Sequence, residues 1–109
     1  MRAFDWSTRQ LRAERDEVAA YRALFEQAQV LTGIGSTPFV VVTATAGGRQ
    51  AGWSAAQDAL ADLSPTSSHR HVPATHTSLL LDASDSRFSV TAIEDVVQAA
   101  RTQTAVPKR

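Results

Sequence analysis

Apolar residues recur at helical intervals along the first third of the chain. The residues that form this pattern are Leu11, Val18, Tyr21, Leu24, Phe25 and Ala28. Charged residues fill most positions between them, which is typical of an amphipathic helix. Ser7 and Gln10 have the spacing of a capping box at its start. The pattern therefore predicts one helix of about twenty residues, ended by Gly33, Gly35 and Pro38.

The pattern then changes to a run of apolar and β-branched residues at positions 38–43. This run, Pro-Phe-Val-Val-Val-Thr, does not alternate, as expected for a strand covered on both faces in a parallel sheet. After a glycine-containing loop, the spacing of apolar residues predicts a second helix over positions 53–63. A second strand is predicted at 69–72 and a loop at 74–77. A final helix includes Val90, Ile93, Val96, Val97 and Ala100.

This order of elements predicts an α/β fold, a helix followed by strand, helix, strand and helix. A strand-helix-strand unit favours a right-handed connection and parallel strands. Two parallel strands leave outer edges with unpaired backbone groups, so the sheet is expected to be part of a larger one or to associate. We divide the chain into residues 1–37 (helix and linker), 38–101 (the α/β segment) and 102–109 (a flexible tail).

Composition narrows the class of protein. The chain has 109 residues, 43% of them hydrophobic, and no cysteine, so it suits one domain without disulfides or a zinc finger. Eleven basic and eleven acidic residues give zero formal charge, which offers no general attraction to nucleic acid or anionic membranes. The apolar runs are too short to span a bilayer, and the N-terminus has no signal-peptide pattern. A cytoplasmic protein is expected, without a nucleic-acid partner or membrane span.

His76 is the first candidate for chemistry. It follows the second predicted strand, and loops at the carboxyl ends of strands carry ligand and catalytic groups in open α/β sheets. Its imidazole can exchange protons near neutral pH. A loop histidine that only bonds a nearby carbonyl fits the same position, and spacing alone leaves both interpretations open.

Four segments together resemble the C-terminal part of the α/β-hydrolase superfamily of esterase and lipase-like proteins. They are Pro38-Phe-Val-Val-Val-Thr-Ala44, Trp53-x-x-x-Gln57-x-x-Leu60-x-x-Leu63-Ser64, Val72-Pro-Ala-Thr-His76-Thr-Ser-Leu79 and Ile93-x-x-Val96-Val97. The resemblance covers residues 31–101, and the stretch before it resembles the end of the cap region. It implies a fragment of a three-layer α/β-hydrolase sandwich. When completed by the N-terminal half of the fold, such a protein would act on a small ester-type substrate without cofactor or metal. The resemblance also implies that His76 is the general base of a Ser-His-Asp triad.

Two parts of the family's catalytic machinery have no counterpart in the sequence. The Gly-x-Ser-x-Gly elbow and the oxyanion hole belong to the N-terminal half of the fold, which these residues do not contain. The loop at 44–50 has no carboxylate where many family members carry the acid. Asp82 and Asp85 follow His76 and are expected near the start of the last helix. The chain is therefore expected to be inactive alone, and a non-enzymatic module that associates through its sheet edge is the alternative.

A serine and a set of histidines offer two competing sites. Gly52-Trp-Ser54-Ala-Ala56 approximates the nucleophile elbow, but Ser54 follows a loop instead of a strand and is predicted to cap the second helix. His69 and His71 point to one side of an extended stretch, and His76 would complete three nitrogen ligands for zinc. Polar alternation on an edge strand explains the first two without metal.

Overall fold

The computed structural model describes residues 7–48 and 51–109, a mixed α/β chain with four helices and a two-stranded sheet. Its elements are α1 (Thr8–Gln29), β1 (Phe39–Ala44), α2 (Trp53–Ala61), β2 (Ser67–Val72), α3 (Ser78–Leu81) and α4 (Ser86–Thr102). One unit ends at Thr32 and the second is Gly33–Arg109, so residues 33–37 and 102–109 belong with the α/β segment. The first six residues of the predicted segment 1–37 lie outside the described residues. Among the described helices, none is long and apolar enough to cross a membrane.

The predicted N-terminal helix is confirmed as α1, 22 residues long. The Ser7 backbone N–H donates to Gln10 Oε1 at 3.0 Å, and the Gln10 N–H donates to Ser7 Oγ at 3.3 Å. This is the predicted capping box, which satisfies backbone donors that the first turn leaves free. The helix ends at Gln29, before Gly33. No residue of α1 is buried, and Phe25 is 65% exposed.

The two strands pair in parallel, as predicted, with Phe39 opposite Ser67 and Ala44 opposite Val72. The observed β1 begins one residue after Pro38, which has no backbone N–H. The observed β2 begins at Ser67, two residues before the predicted start, and both Ser67 and Ser68 are buried. Serine is a weak strand former, but pairing with β1 decides the local structure here.

Side chains of β2 alternate between two sets of contacts. His69 contacts α2 through Asp58, and Arg70 contacts α4 through Asp95. A small core lies beside the end of β2 and consists of Val72, Ala74 and Leu79, with Val42, Ala44 and Phe88 packed against it. The second unit therefore buries few large side chains, and its buried residues include the polar Thr43, Arg70 and Asp95.

A short helix that the sequence did not predict, α3, follows the loop after β2. The Thr75 N–H donates to Ser78 Oγ at 2.9 Å, and the Ser78 N–H donates to Thr75 Oγ1 at 3.0 Å. Four residues are too few for helical periodicity to appear in the sequence. Asp82 Oδ1 then accepts from the backbone N–H groups of Ser84 and Asp85, both at 2.8 Å, just before α4 begins.

The residues after α4 make specific contacts, although the pattern predicts a flexible tail. Gln103 ends the helix with a left-handed φ of 54°. Val106 is only 2% exposed, and Lys108 Nζ donates to the carbonyl oxygen of Ser67. Arg109 Nε donates to Asp95 Oδ2 at 2.8 Å. The tail thus contacts both β2 and α4.

Asp95 makes folding stability depend on acid pH. Its hydrogen bond from Arg109, together with that from Arg70, holds the pKa of the Asp95 carboxyl below the ordinary value of 3.8, against the opposing effect of burial. A carboxyl group whose pKa is lower in the folded than in the unfolded state stabilises the fold fully at pH values above its unfolded-state pKa. This stabilisation is lost as pH falls through the folded-state pKa. We expect Asp95→Asn to lower the melting temperature at neutral pH, and the gap to wild type to narrow as pH falls below 3.8.

Thermal unfolding followed by circular dichroism between neutral and strongly acidic pH measures this gap. Asp62→Asn is the matched control, because Asp62 is exposed and its replacement removes one carboxylate as well. A gap between wild type and Asp95→Asn that stays constant across the range would contradict the assignment.

Candidate functional site

An open cleft of about 580 Å³ lies where β1 passes into its following loop. The described residues that line it are Val42, Thr43, Ala44, Ala46, Gly48, Trp53, Gln57 and His76. They come from the end of β1 and its loop, from the first turns of α2, and from the loop after β2. The cleft therefore occupies the carboxyl end of the strands, where open α/β sheets place their ligands.

His76 lies in the loop between β2 and α3 and lines this cleft, at the position that the sequence predicts. Its side chain is exposed, and its ring makes no hydrogen bond to any residue among 7–48 and 51–109. Backbone bonds fix the loop beside β1: the Thr45 N–H donates to the Val72 carbonyl at 2.9 Å, and the Ala46 N–H donates to that of Ala74 at 3.0 Å. An imidazole held there can take a proton from a group in the cleft and return it.

A chain of three hydrogen-bonded side chains connects α2 to β1 through β2. Asp58 Oδ1 lies 2.6 Å from His69 Nδ1, and Thr43 Oγ1 lies 2.7 Å from His69 Nε2. The His69 side chain is 10% exposed, whereas that of Asp58 is 63% exposed. Thr43 is 2% exposed and lines the cleft. Each ring nitrogen of His69 therefore has a partner.

The sequence pattern does not predict this chain of side chains. Asp58 lies within the predicted second helix, 53–63, and Thr43 is the last residue of the run predicted as a covered strand. The three residues become neighbours only through the register of β1 on β2, in which Val41 lies opposite His69 and Thr43 opposite His71. The polar Thr43 at the end of an otherwise apolar run was the available signal.

The histidines do not assemble into a metal site. The rings of His69 and His71 lie on one side of β2, as predicted, with centroids 4.2 Å apart. Both nitrogens of His69 are already used by Thr43 and Asp58. In the part of the chain that the structure describes, no group of three histidine or acidic side chains is arranged to hold a metal ion.

Ser54 does not occupy an elbow, and its predicted role as an N-cap is wrong. It is the second residue of α2 and is exposed. The N-cap is Gly52, whose left-handed φ of 82° turns the chain into the helix two residues earlier than expected. β1 ends at Ala44, well before Ser54. The predicted separation of Ser54 from the end of the strand is therefore confirmed, whereas an elbow serine would follow its strand directly.

The described part of the cleft contains no carboxylate. Asp82 and Asp85 lie just before α4, as predicted from their position after His76. Arg49 and Gln50, the last residues of the loop at 44–50, lie outside the described residues. The described residues of the loop, 44–48, carry no acidic side chain.

The chain was compared with models of protein families, with curated proteins and with solved structures, and none of the three comparisons found a match.

Proposed function

We propose that this chain is the C-terminal part of an α/β-hydrolase-like serine hydrolase of the cytoplasm, and that it supplies His76 as the proton acceptor. The observation that carries the proposal is the exposed, unengaged ring of His76 in an open cleft at the carboxyl end of two parallel strands. The nucleophilic serine comes from outside these residues. It attacks the carbonyl of an ester, His76 takes its proton, and the proton passes to the leaving alcohol. Water then releases the acid from the acyl-serine by the same proton transfer.

The two edges of the sheet differ in a way that supports a larger fold. The Thr45 N–H points to β2, so alternation along β1 directs the backbone groups of Val40, Val42 and Ala44 to the other side. No described strand pairs there. The outer side of β2, in contrast, is contacted by Lys108 at Ser67. A further strand would pair with β1, within a three-layer sandwich to which α1 contributes the end of a cap.

A fluorophosphonate probe, which reacts with activated serines, tests the proposal. We expect no labelling of the 109-residue chain alone, and labelling of a serine outside it in the full polypeptide or complex that contains the chain. Labelling of the isolated chain that Ser54→Ala abolishes would contradict the proposal. So would an unlabelled full protein.

A second candidate function is a non-enzymatic module that associates through the outer edge of β1. The backbone groups of Val40, Val42 and Ala44 pair with no described strand, and such an edge pairs readily with another strand. The partner we propose is a second copy of the chain. This candidate predicts a dimer that forms without any serine-bearing segment.

Sedimentation of the purified chain distinguishes the two functions. Val40→Pro removes an N–H that points away from β2, so it would weaken the dimer and leave the fold intact. Val41→Pro is the control, because it removes an N–H that points to β2 and would disrupt the sheet itself. A monomer at all concentrations would contradict the module.

A further inference from the structure

Thr43 is the only residue with a hydroxyl among the described residues that line the cleft. The direction of its hydrogen bond to His69 decides what it offers to a ligand. A hydroxyl has one proton to donate and two lone pairs to accept with. The acceptor of that proton therefore determines whether Thr43 offers a ligand a hydrogen-bond donor or only an acceptor.

Asp58 and His69 together determine which atom accepts the hydroxyl proton of Thr43. An ionised carboxylate only accepts, so His69 Nδ1–H donates to Asp58 Oδ1 across 2.6 Å. A neutral imidazole has one N–H, which leaves Nε2 as an acceptor. In this neutral form of the ring, Thr43 is the donor to Nε2 across the 2.7 Å contact. With its proton used, Thr43 Oγ1 presents only lone pairs.

The remaining described walls favour an uncharged ligand. Val42, Ala44 and Ala46 are apolar, Trp53 is 44% exposed, and no described lining residue is an arginine, lysine, aspartate or glutamate. An ionic group placed there would lose water without gaining a permanent counter-charge from the described lining residues. An apolar group, in contrast, can bury surface against the Trp53 ring.

We propose that the cleft selects an uncharged molecule that donates a hydrogen bond to Thr43 Oγ1 and places an apolar group against Trp53. The donor is a hydroxyl or an amide N–H. Asp58 and His69 act as positioning residues, since they contact Thr43 or each other and fix the direction of the hydrogen bond. The inference rests on the proposed function and names its substrate class, an uncharged ester that bears such a donor.

Two isomeric probes test this selection directly. Benzyl alcohol has a hydroxyl donor, whereas methoxybenzene has the same atoms and accepts only. Each is titrated into the ¹⁵N-labelled 109-residue chain at about pH 8, and the amide signals of Ala44, Ala46 and Gln57 are followed. We expect benzyl alcohol to bind about fivefold more tightly, the value of one neutral hydrogen bond.

Two variants separate this role from simple packing. Thr43→Val keeps the shape of the side chain and should abolish the preference between the isomers. Asp58→Asn offers an N–H to His69 Nδ1, so the ring proton moves to Nε2 and donates to Thr43. The threonine proton then becomes free, and the preference should move toward methoxybenzene. Asp62→Asn also removes one exposed carboxylate but lies outside the network, so it should leave the preference unchanged.

Three results would overturn the inference. They are equal binding of the two isomers to wild type, no binding of either up to its solubility limit, and a preference that survives in Thr43→Val. If Thr43→Val does not fold, Asp58→Asn decides, because Asp58 is 63% exposed and its replacement is isosteric. These measurements need no catalytic serine, so their failure would leave the fluorophosphonate test of the hydrolase standing.

Discussion

Replacing His76 with alanine is expected to lower ester hydrolysis by the proposed serine-containing hydrolase about 10³-fold, within the range that a general base contributes. The serine would remain, but no group in the cleft would take its proton. The expected loss is in kcat, because a proton transfer stabilises the transition state more than the bound substrate. Steady-state kinetics with an uncharged ester and the rate of fluorophosphonate labelling measure it.

His71→Ala is the matched control for this experiment. His71 is also an exposed histidine, so its replacement removes the same ring, yet it does not line the cleft. Its replacement should change kcat little. If His71→Ala and His76→Ala reduced the rate equally, the assignment of the proton acceptor to His76 would be wrong.

Arg70→Ala is expected to lower the free energy of unfolding by about 3 kcal/mol, the typical result of removing one partner of a buried ion pair. The Arg70 side chain is 6% exposed. Its guanidinium donates to Asp95 Oδ2 at 2.7 Å and to the Pro107 carbonyl at 3.0 Å. Alanine would leave a cavity, would remove one of the two cations beside Asp95, and would free the tail at Pro107.

Chemical denaturation of three variants measures this effect and its cause. Arg101→Ala removes an exposed arginine in the last turn of α4 and should cost little. Arg70→Met keeps most of the volume, and it also removes Arg70 Nε, a buried donor without a partner among the described residues. It should therefore destabilise less than alanine. Equal stability of Arg70→Ala and Arg101→Ala would show that the ion pair contributes nothing.

Local signals in the sequence predicted the parts of the fold that depend on local physics. Capping by Ser7 and helical spacing predicted α1, and the unbroken apolar run predicted a strand in a parallel sheet. The start of β2 at Ser67 was missed because only pairing with β1 makes those serines extended. The contacts of residues 106–109 were missed for the same reason, since they depend on residues distant in sequence.

The same distinction between local signals and long-range contacts applies to the candidate site. The position of His76 in a loop after a strand followed from the order of elements, and the structure places it there, in the cleft. The Asp58–His69–Thr43 chain joins three elements, and nothing short of the register of the sheet brings these side chains within hydrogen-bonding distance.

The absence of buried residues in α1 has a consequence for how the chain responds to heating. A helix that buries no residue is held by its capping box and by local pairs such as Arg22 with Glu26, and helices with only local support are marginal in water. Its amide hydrogens should exchange with deuterium long before those of Val41 and Thr43, which are buried in β1. Helical signal should then decline gradually at first, ahead of the cooperative melting of the sheet.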